Sequence, residues 1–225
     1  MHLQNIVPWG RTLEEYKKMF NLTEADLKSK IIGCGDGPAS FNCQINEIGG
    51  SAVSIDPIYR YTKEQIKNRI DEVANDILEQ IIANKDNFVW KDIKDAKELY
   101  TIRMEAMNKF LKDYELGKEE KRYIFGQLPK LPFNDSSFDI ALSSHFLLLY
   151  SEHLDLEFHK KAILEMLRVA KEIRIFPIVD LHNKRSIHLD AIINMLKNRG
   201  LKTEVIKVDY EFQKGANEML RVIKN

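Results

Sequence analysis

The segment 29-SKIIGCGDGPASFN-42 constrains this chain more than any other. An apolar run ends in three glycines at alternate positions, Gly33, Gly35 and Gly37. Glycine admits positive φ and lets backbone N–H groups approach a neighbour closely. The run therefore reads as a buried strand turning sharply into a helix over 38–48, with Pro38 tolerated in its first turn. The stretch 51-SAVSID-56 follows as a second short strand ending on an acid. Strand, glycine turn, helix and strand make a βαβ unit, which implies a parallel pair joined by a right-handed crossover. A glycine turn with no ligand is the other reading of the same residues.

The rest of the chain extends this pattern. Leu13, Tyr16 and Phe20 recur at helical spacing and predict a helix over 11–27, with 23-TEAD-26 restarting a turn. Between 62 and 120 the stripe Ile66, Ile70, Val73, Ile77 and Ile81 predicts one helix. Leu99, Ile102, Met104, Met107, Phe110 and Leu111 predict a second. That is longer than an ordinary crossover, so a helical cap insertion of about 62–120 is expected. Strands are expected over 122–127, 138–145 and 172–179, with helices over 156–171 and 186–199, the latter closed by Gly200. The tail 202–212, 213–217 and 218–224 reads as a hairpin whose last strand runs antiparallel. Seven strands alternating with helices predict an α/β, Rossmann-like, mostly parallel sheet in a single domain over 1–225.

Charge narrows the function classes. Lys plus Arg and Asp plus Glu both number 34, whereas a protein that grips nucleic acid through its phosphates usually shows a basic excess. There is thus no strong nucleic-acid signal. Two cysteines, Cys34 and Cys43, are too few for a disulfide framework and read as buried core thiols of a reducing compartment. The N-terminal residues have no apolar signal core, and no apolar run approaches a membrane span. A soluble, cytoplasmic protein is expected, of undetermined oligomeric state.

In open α/β sheets ligands lie beyond the carboxyl ends of the strands, near the point where strand order reverses. Four segments fall there: the glycine turn Gly33–Gly37, Asp56, Gly126–Leu128 and Ser143–His145. Asp56 stands about 20 residues beyond the glycines, where an acid can bind both hydroxyls of a ribose. An exposed turn aspartate before Pro57 is the alternative.

At these residues the chain resembles the class I S-adenosylmethionine-dependent methyltransferases. IIGCGDG is similar to their first motif, Asp56 matches the acid ending their second strand, and 131-LPFNDSSFDIALSS-144 is similar to the loop and fourth strand of their small-molecule members. GCGDGPASFN, LLLYSEH and 210-YEFQKGANEML-220 also resemble an uncharacterised bacterial subgroup. The resemblance implies a seven-stranded methyltransferase fold with sheet order 3-2-1-4-5-7-6 and S-adenosyl-L-methionine as cofactor. The cofactor would be held by Gly33, Cys34, Gly35, Gly37, Asp56, Pro57, Gln127, Leu128, Ser143 and Ser144. Two positions depart from the pattern. Ile31 stands where the family usually has an acid near the methionine end, and Gln127 where an acid near the adenine is common. Gln127 still offers a carbonyl acceptor. Asp36, in the turn, could stand in for the missing acid unless its side chain points elsewhere.

For the chemistry, 143-SSHF-146 replaces the Asn-Pro-Pro-Tyr of the amino-methylating group, and no Pro-Cys nucleophile is present. A small-molecule acceptor is expected. His145, at the end of strand four, could be a general base with a pKa near neutrality, or a polar packing residue. Tyr150, with Glu152 and His153, could line the acceptor pocket. Tyr59, Tyr61 and Trp90 read as core or as a wall beneath the cap. His145, His153 and His159 lack a metal-ligand spacing. Two rivals remain open: a non-catalytic nucleoside-binding module, motivated by Ile31, and a nicotinamide enzyme, against which Pro38 at the third-glycine position speaks.

Overall fold

The fold was determined as a computed structural model, and the structure describes residues 9–224. The signal-core expectation for the first eight residues lies outside the described residues. Among the described residues no helix is long and apolar enough to cross a membrane.

The chain runs α1 (Leu13–Phe20), β1 (Lys30–Cys34), α2 (Phe41–Glu47), β2 (Ser51–Asp56), α3 (Lys63–Ala83), α4 (Ala96–Glu119), β3 (Tyr123–Phe125), β4 (Phe138–Ser144), α5 (Leu156–Val169), β5 (Ala170–Phe176), α6 (Leu189–Asn198), β6 (Lys202–Lys207) and β7 (Glu218–Ile223). One sheet holds all seven strands in the order β3-β2-β1-β4-β5-β7-β6. The pairs of β1 with β2 and β4, of β2 with β3 and of β4 with β5 are parallel. β7 runs antiparallel to both β5 and β6. This is the sheet order and hairpin the sequence implied. The order reverses between β1 and β4, so a crevice must open at their carboxyl ends.

Strand alternation sorts the core into two layers. Ile32, Cys34 and Ala141 face α5 and α6, with Ile163, Met166 and Ile192. Ile31, Ile140 and Leu142 face α1 and α2, with Tyr16, Phe20, Phe41 and Ile45. Each expected element is present, several of them shorter. α1 stops at Phe20 because Asn21 takes a left-handed conformation (φ 46°) and caps it. α2 begins only at Phe41, so Pro38 lies in the turn before it and not in its first turn. β6 ends at Lys207, and residues 208–217 form a broad loop instead of a tight hairpin.

The segment between β2 and β3 contains two long helices. α4 packs on α2 and β3, the position of an ordinary crossover helix, while α3 packs along α4 and is the added element. Capping boxes and caps fix their starts: Thr62 with Gln65 for α3, and Asp95 accepting from the Glu98 amide for α4. The turn between them reaches across the sheet edge. Val89 N–H donates to Phe212 O (2.7 Å), Lys214 N–H donates to Asn87 O (2.9 Å), and the Phe88 and Phe212 rings stack at 4.8 Å. The inserted hairpin is thereby tied to the β6–β7 loop, above the carboxyl ends of β4 and β5.

Candidate functional site

The glycine turn is built from three different constraints. Gly35 (φ 77°) and Gly37 (φ 58°) adopt left-handed backbone that other residues resist. Gly33 has no such φ; a Cβ there would overlap the Asp36 carboxylate, which folds back over it. Tyr16 Oη donates to Asp36 Oδ1 (2.8 Å), and Ser54 Oγ donates to Oδ2. Gly33 and Ile31 share a face of β1, and the Asp36 carboxylate lies over that face one pleat beyond Ile31. Ile31 itself is 1% exposed in the core under α1 and α2. Burial pushes the Asp36 carboxyl up to about 6.

Asp56 closes the turn from the other side. Its Oδ2 accepts from Gly37 N–H and its Oδ1 from Ile58 N–H, both at 2.9 Å. Burial outweighs these bonds and pushes its pKa up to about 6. Tyr59 Oη donates to Gly37 O at 2.7 Å. Tyr59 is thus a buried prop for the turn. Tyr61 is exposed at 45%, and Trp90 packs on Phe88 and Phe212 in the inserted hairpin.

Three cavities that share lining residues follow the strand ends. The largest, about 370 Å³, is walled by Ile55, Leu128, Leu154 and Phe158, with Cys34, Gly35, Asp56, Pro57 and Gln127 at its polar edge. A second, about 90 Å³, shares Gly35, Asp56, Ile58 and Phe146 with the first and adds Tyr16, Asp36, Ser144 and His145. A third, about 100 Å³, shares Trp9, Arg11, His145 and Tyr150 with the second and runs beneath α3, where Ile77, Ile81 and Phe212 roof it.

Of the sequence-predicted residues, the structure brings Cys34, Gly35, Asp56, Pro57, Gln127 and Leu128 to the large cavity, and Gly37, Ser144, His145 and Tyr150 to the smaller ones. Gly33 is covered by Asp36. Ser143 is fully buried, and its hydroxyl has no hydrogen-bond partner among the described residues. Glu152 meets His182 at the surface (3.1 Å) and lines none of these cavities, and neither does His153. Cys34 and Cys43 are buried free thiols. Among the described residues no group of His, Cys, Asp or Glu is placed to hold a metal ion.

His145 departs from one of its two expected states, that of a base near neutrality. It sits at φ 50°, anchored by its N–H to Phe176 O (2.7 Å), with Nδ1 3.0 Å from Ser144 Oγ. Burial and the Arg11 and Arg103 cations drive its pKa well below the ordinary imidazole value. It is a neutral, weakly basic hydrogen-bonding group, not a base poised near neutrality. The two arginines come from segments that carry no motif. Arg103 on α4 is buried against Glu15 of α1, its NH1 and NH2 each 2.7 Å from a carboxylate oxygen. That pairing holds the Glu15 pKa down at about 2. Trp9, Arg11, Tyr16 and Phe146 were equally silent in the sequence, because their role depends on which distant strand end they reach.

The Asp36 carboxyl carries a pH signature. An unfolded aspartate titrates near 3.9, below its folded value of about 6. Between these values the native state keeps a proton that the unfolded chain has lost, so the Asp36 contribution to stability falls as pH rises from about 4 to about 6. Asp36→Asn cannot titrate. Its stability relative to wild type should therefore rise by roughly 2–3 kcal/mol between pH 4 and pH 7 in urea unfolding. A difference that is flat with pH would show that the carboxyl titrates normally.

No family model matches the chain. A Methanocaldococcus jannaschii protein described as uncharacterized protein MJ0045 is 39% identical over 222 residues, which span 98% of this chain and 97% of that protein. Among solved structures, magnesium protoporphyrin IX methyltransferase from Synechocystis PCC 6803 with bound S-adenosylmethionine is similar over 90% of this chain and 73% of its own, at 10% identity and a TM-score of 0.47. A SAM-dependent methyltransferase from Aquifex aeolicus is similar over 93% of this chain and 87% of its own, at 15% identity and a TM-score of 0.45.

Proposed function

We propose, for a chain that belongs to the family of the uncharacterized Methanocaldococcus jannaschii protein MJ0045, that it is an S-adenosylmethionine-dependent methyltransferase acting on a small-molecule acceptor. The observation that carries this reading is one juxtaposition at the β1/β4 switch point: a largely apolar cavity edged by Asp56, sharing Gly35 and Asp56 with a second cavity lined by Asp36, Ser144 and His145.

The residues present fit the cofactor. Ile55, Leu128 and Phe158 offer an apolar slot for a purine, and the Gln127 amide lies at its edge. Asp56 uses one lone pair on each oxygen for the turn, which leaves acceptor capacity for two ribose hydroxyls. The Asp36 carboxylate and Ser144 hydroxyl line the cavity on the methionine side. When bound, the cofactor supplies an activated methyl group on sulfur, so much of the protein's task is to place the acceptor in line with it.

His145 and Tyr150 stand where the second and third cavities meet. The imidazole nitrogen not facing Ser144 has no hydrogen-bond partner among the described residues and can orient an acceptor N–H or O–H. Its low basicity suits an acceptor that gives up its proton late or needs no deprotonation. The insertion, which roofs the third cavity, serves as a lid that keeps water from the acceptor. The buried free thiols suit a cytoplasmic setting. A non-catalytic nucleoside-binding module would use the same cleft, and the weak basicity of His145 is the observation that favours it.

Titration calorimetry with S-adenosylhomocysteine should give micromolar binding, and a thermal-shift comparison should show stabilisation by S-adenosylhomocysteine but not by NAD. Absence of binding to the pure protein would sink the proposal. Methylated product from any acceptor in a screen would remove the non-catalytic reading.

A further inference from the structure

We propose that Arg11 is the receptor for a carboxylate on the methyl acceptor, so that the acceptor is a small organic acid with an apolar body. This rests on the methyltransferase reading above and names its substrate class.

Arg11 lines both smaller cavities. Its one side-chain hydrogen bond among the described residues goes from NH1 to Trp9 O (3.1 Å), while its buried Nε has no partner. A guanidinium carries five N–H donors and cannot shed its charge by deprotonation. Arg11 is half-buried, and a partly desolvated cation that shares its counter-ion with another is stabilised when a further anion arrives.

The acids nearby are already engaged. Glu15 spends both oxygens on Arg103, and Tyr210 Oη also donates to it (3.0 Å). Asp36 is held by Tyr16 and Ser54, and Asp56 by two backbone amides. Two cations, Arg11 and Arg103, thus share one carboxylate. Burial and the Arg103 charge lower the Arg11 pKa, which is the mark of a cation lacking compensation.

The position of Arg11 favours the acceptor as the source of the missing anion. Beyond His145 and Tyr150, on the side away from Asp56, the third cavity is walled by Trp9, Ile77, Phe88, Leu149 and Phe212. A ligand filling it would bury an apolar body and meet Arg11 at its mouth. The cofactor's own carboxylate is the other possible source of the same chemistry, and the experiment separates the two.

The probes are isobutyrate, benzoate and phenylacetate, each paired with its neutral amide and titrated into the protein with and without S-adenosylhomocysteine. At least one acid should bind about tenfold more tightly than its amide. Arg11→Gln should abolish that preference while changing S-adenosylhomocysteine affinity less than about threefold, and Arg11→Lys should restore part of it. Arg11→Gln should also keep a Tm close to that of wild type, because Arg11 is half-buried and makes one side-chain hydrogen bond among the described residues. If no acid is preferred over its amide, the proposal is wrong. If Arg11→Gln instead weakens S-adenosylhomocysteine tenfold or more and leaves adenosine unaffected, Arg11 serves the cofactor and the proposal is likewise overturned. Absence of S-adenosylhomocysteine binding to wild type would defeat the methyltransferase reading separately, and the acid–amide comparison without it still tests Arg11.

Discussion

On the proposed reading, Asp56→Ala should weaken the binding of S-adenosylhomocysteine, with the dissociation constant rising by about 150-fold or more. The magnitude follows from two hydrogen bonds to a charged acceptor in a buried site, each worth about 1.5–3 kcal/mol when lost. The carboxylate has a second duty that adds to the effect. It accepts from Gly37 N–H and Ile58 N–H, so its removal frees the turn that edges both cavities. Asp56→Asn keeps one acceptor oxygen and should fall between the two. The same residue predicts a pH dependence. Its pKa is raised to about 6, and only the ionised form accepts at both oxygens. Affinity should therefore be level above pH 7 and decline as pH falls through about 6. Calorimetry at pH 5, 6, 7 and 8 reads both effects. A dissociation constant for Asp56→Ala within threefold of wild type would remove Asp56 from the cofactor site.

Gly33→Ala should be among the most destabilising single substitutions in the chain. The added methyl group would overlap the Asp36 carboxylate. That carboxylate cannot swing away freely, because Tyr16 and Ser54 hold it from two elements and Tyr16 stacks on Phe41 at 4.1 Å. Overpacking of this kind costs about 1–3 kcal/mol, and disturbing a buried carboxylate network adds to it. A loss of about 3 kcal/mol lowers Tm by roughly 6–12 °C for a domain of this size. Adding Asp36→Ala to Gly33→Ala removes the overlap, so the double variant should be less destabilised than the sum of the singles. Strict additivity, or an unchanged Tm for Gly33→Ala, would mean that Asp36 does not rest on Gly33.

These two residues illustrate how much of the site could be read from the chain. Asp56 was legible because its cue is local: an acid ending a short strand, about 20 residues after a glycine turn. Gly35 and Gly37 were legible as positions of positive φ. Gly33 was legible as a glycine but not for its reason, since the reason is a side chain three residues on that folds back. Ile31 looked like a defect in a motif. It is a core residue, and the Asp36 carboxylate lies over the next position on the same face, a placement no one-dimensional pattern carries.

His145 shows the converse. Its place at the end of β4 followed from the strand pattern, but its basicity depends on Arg11 and Arg103, 134 and 42 residues away in sequence. Chemical type is local, whereas electrostatic environment is set by whatever the fold packs alongside.

By itself the sequence determined the alternation of strands and helices, the switch point and the identity of the turn, because hydrophobic period and glycine conformation act over a few residues. Only the tertiary structure decided which carboxylate covers β1, that α4 is the crossover helix and α3 the addition, and that two arginines with one carboxylate between them line the third cavity. Those outcomes depend on burial and on pairing across 20 to 200 residues, where the free energy lies in contacts that the linear chain does not display.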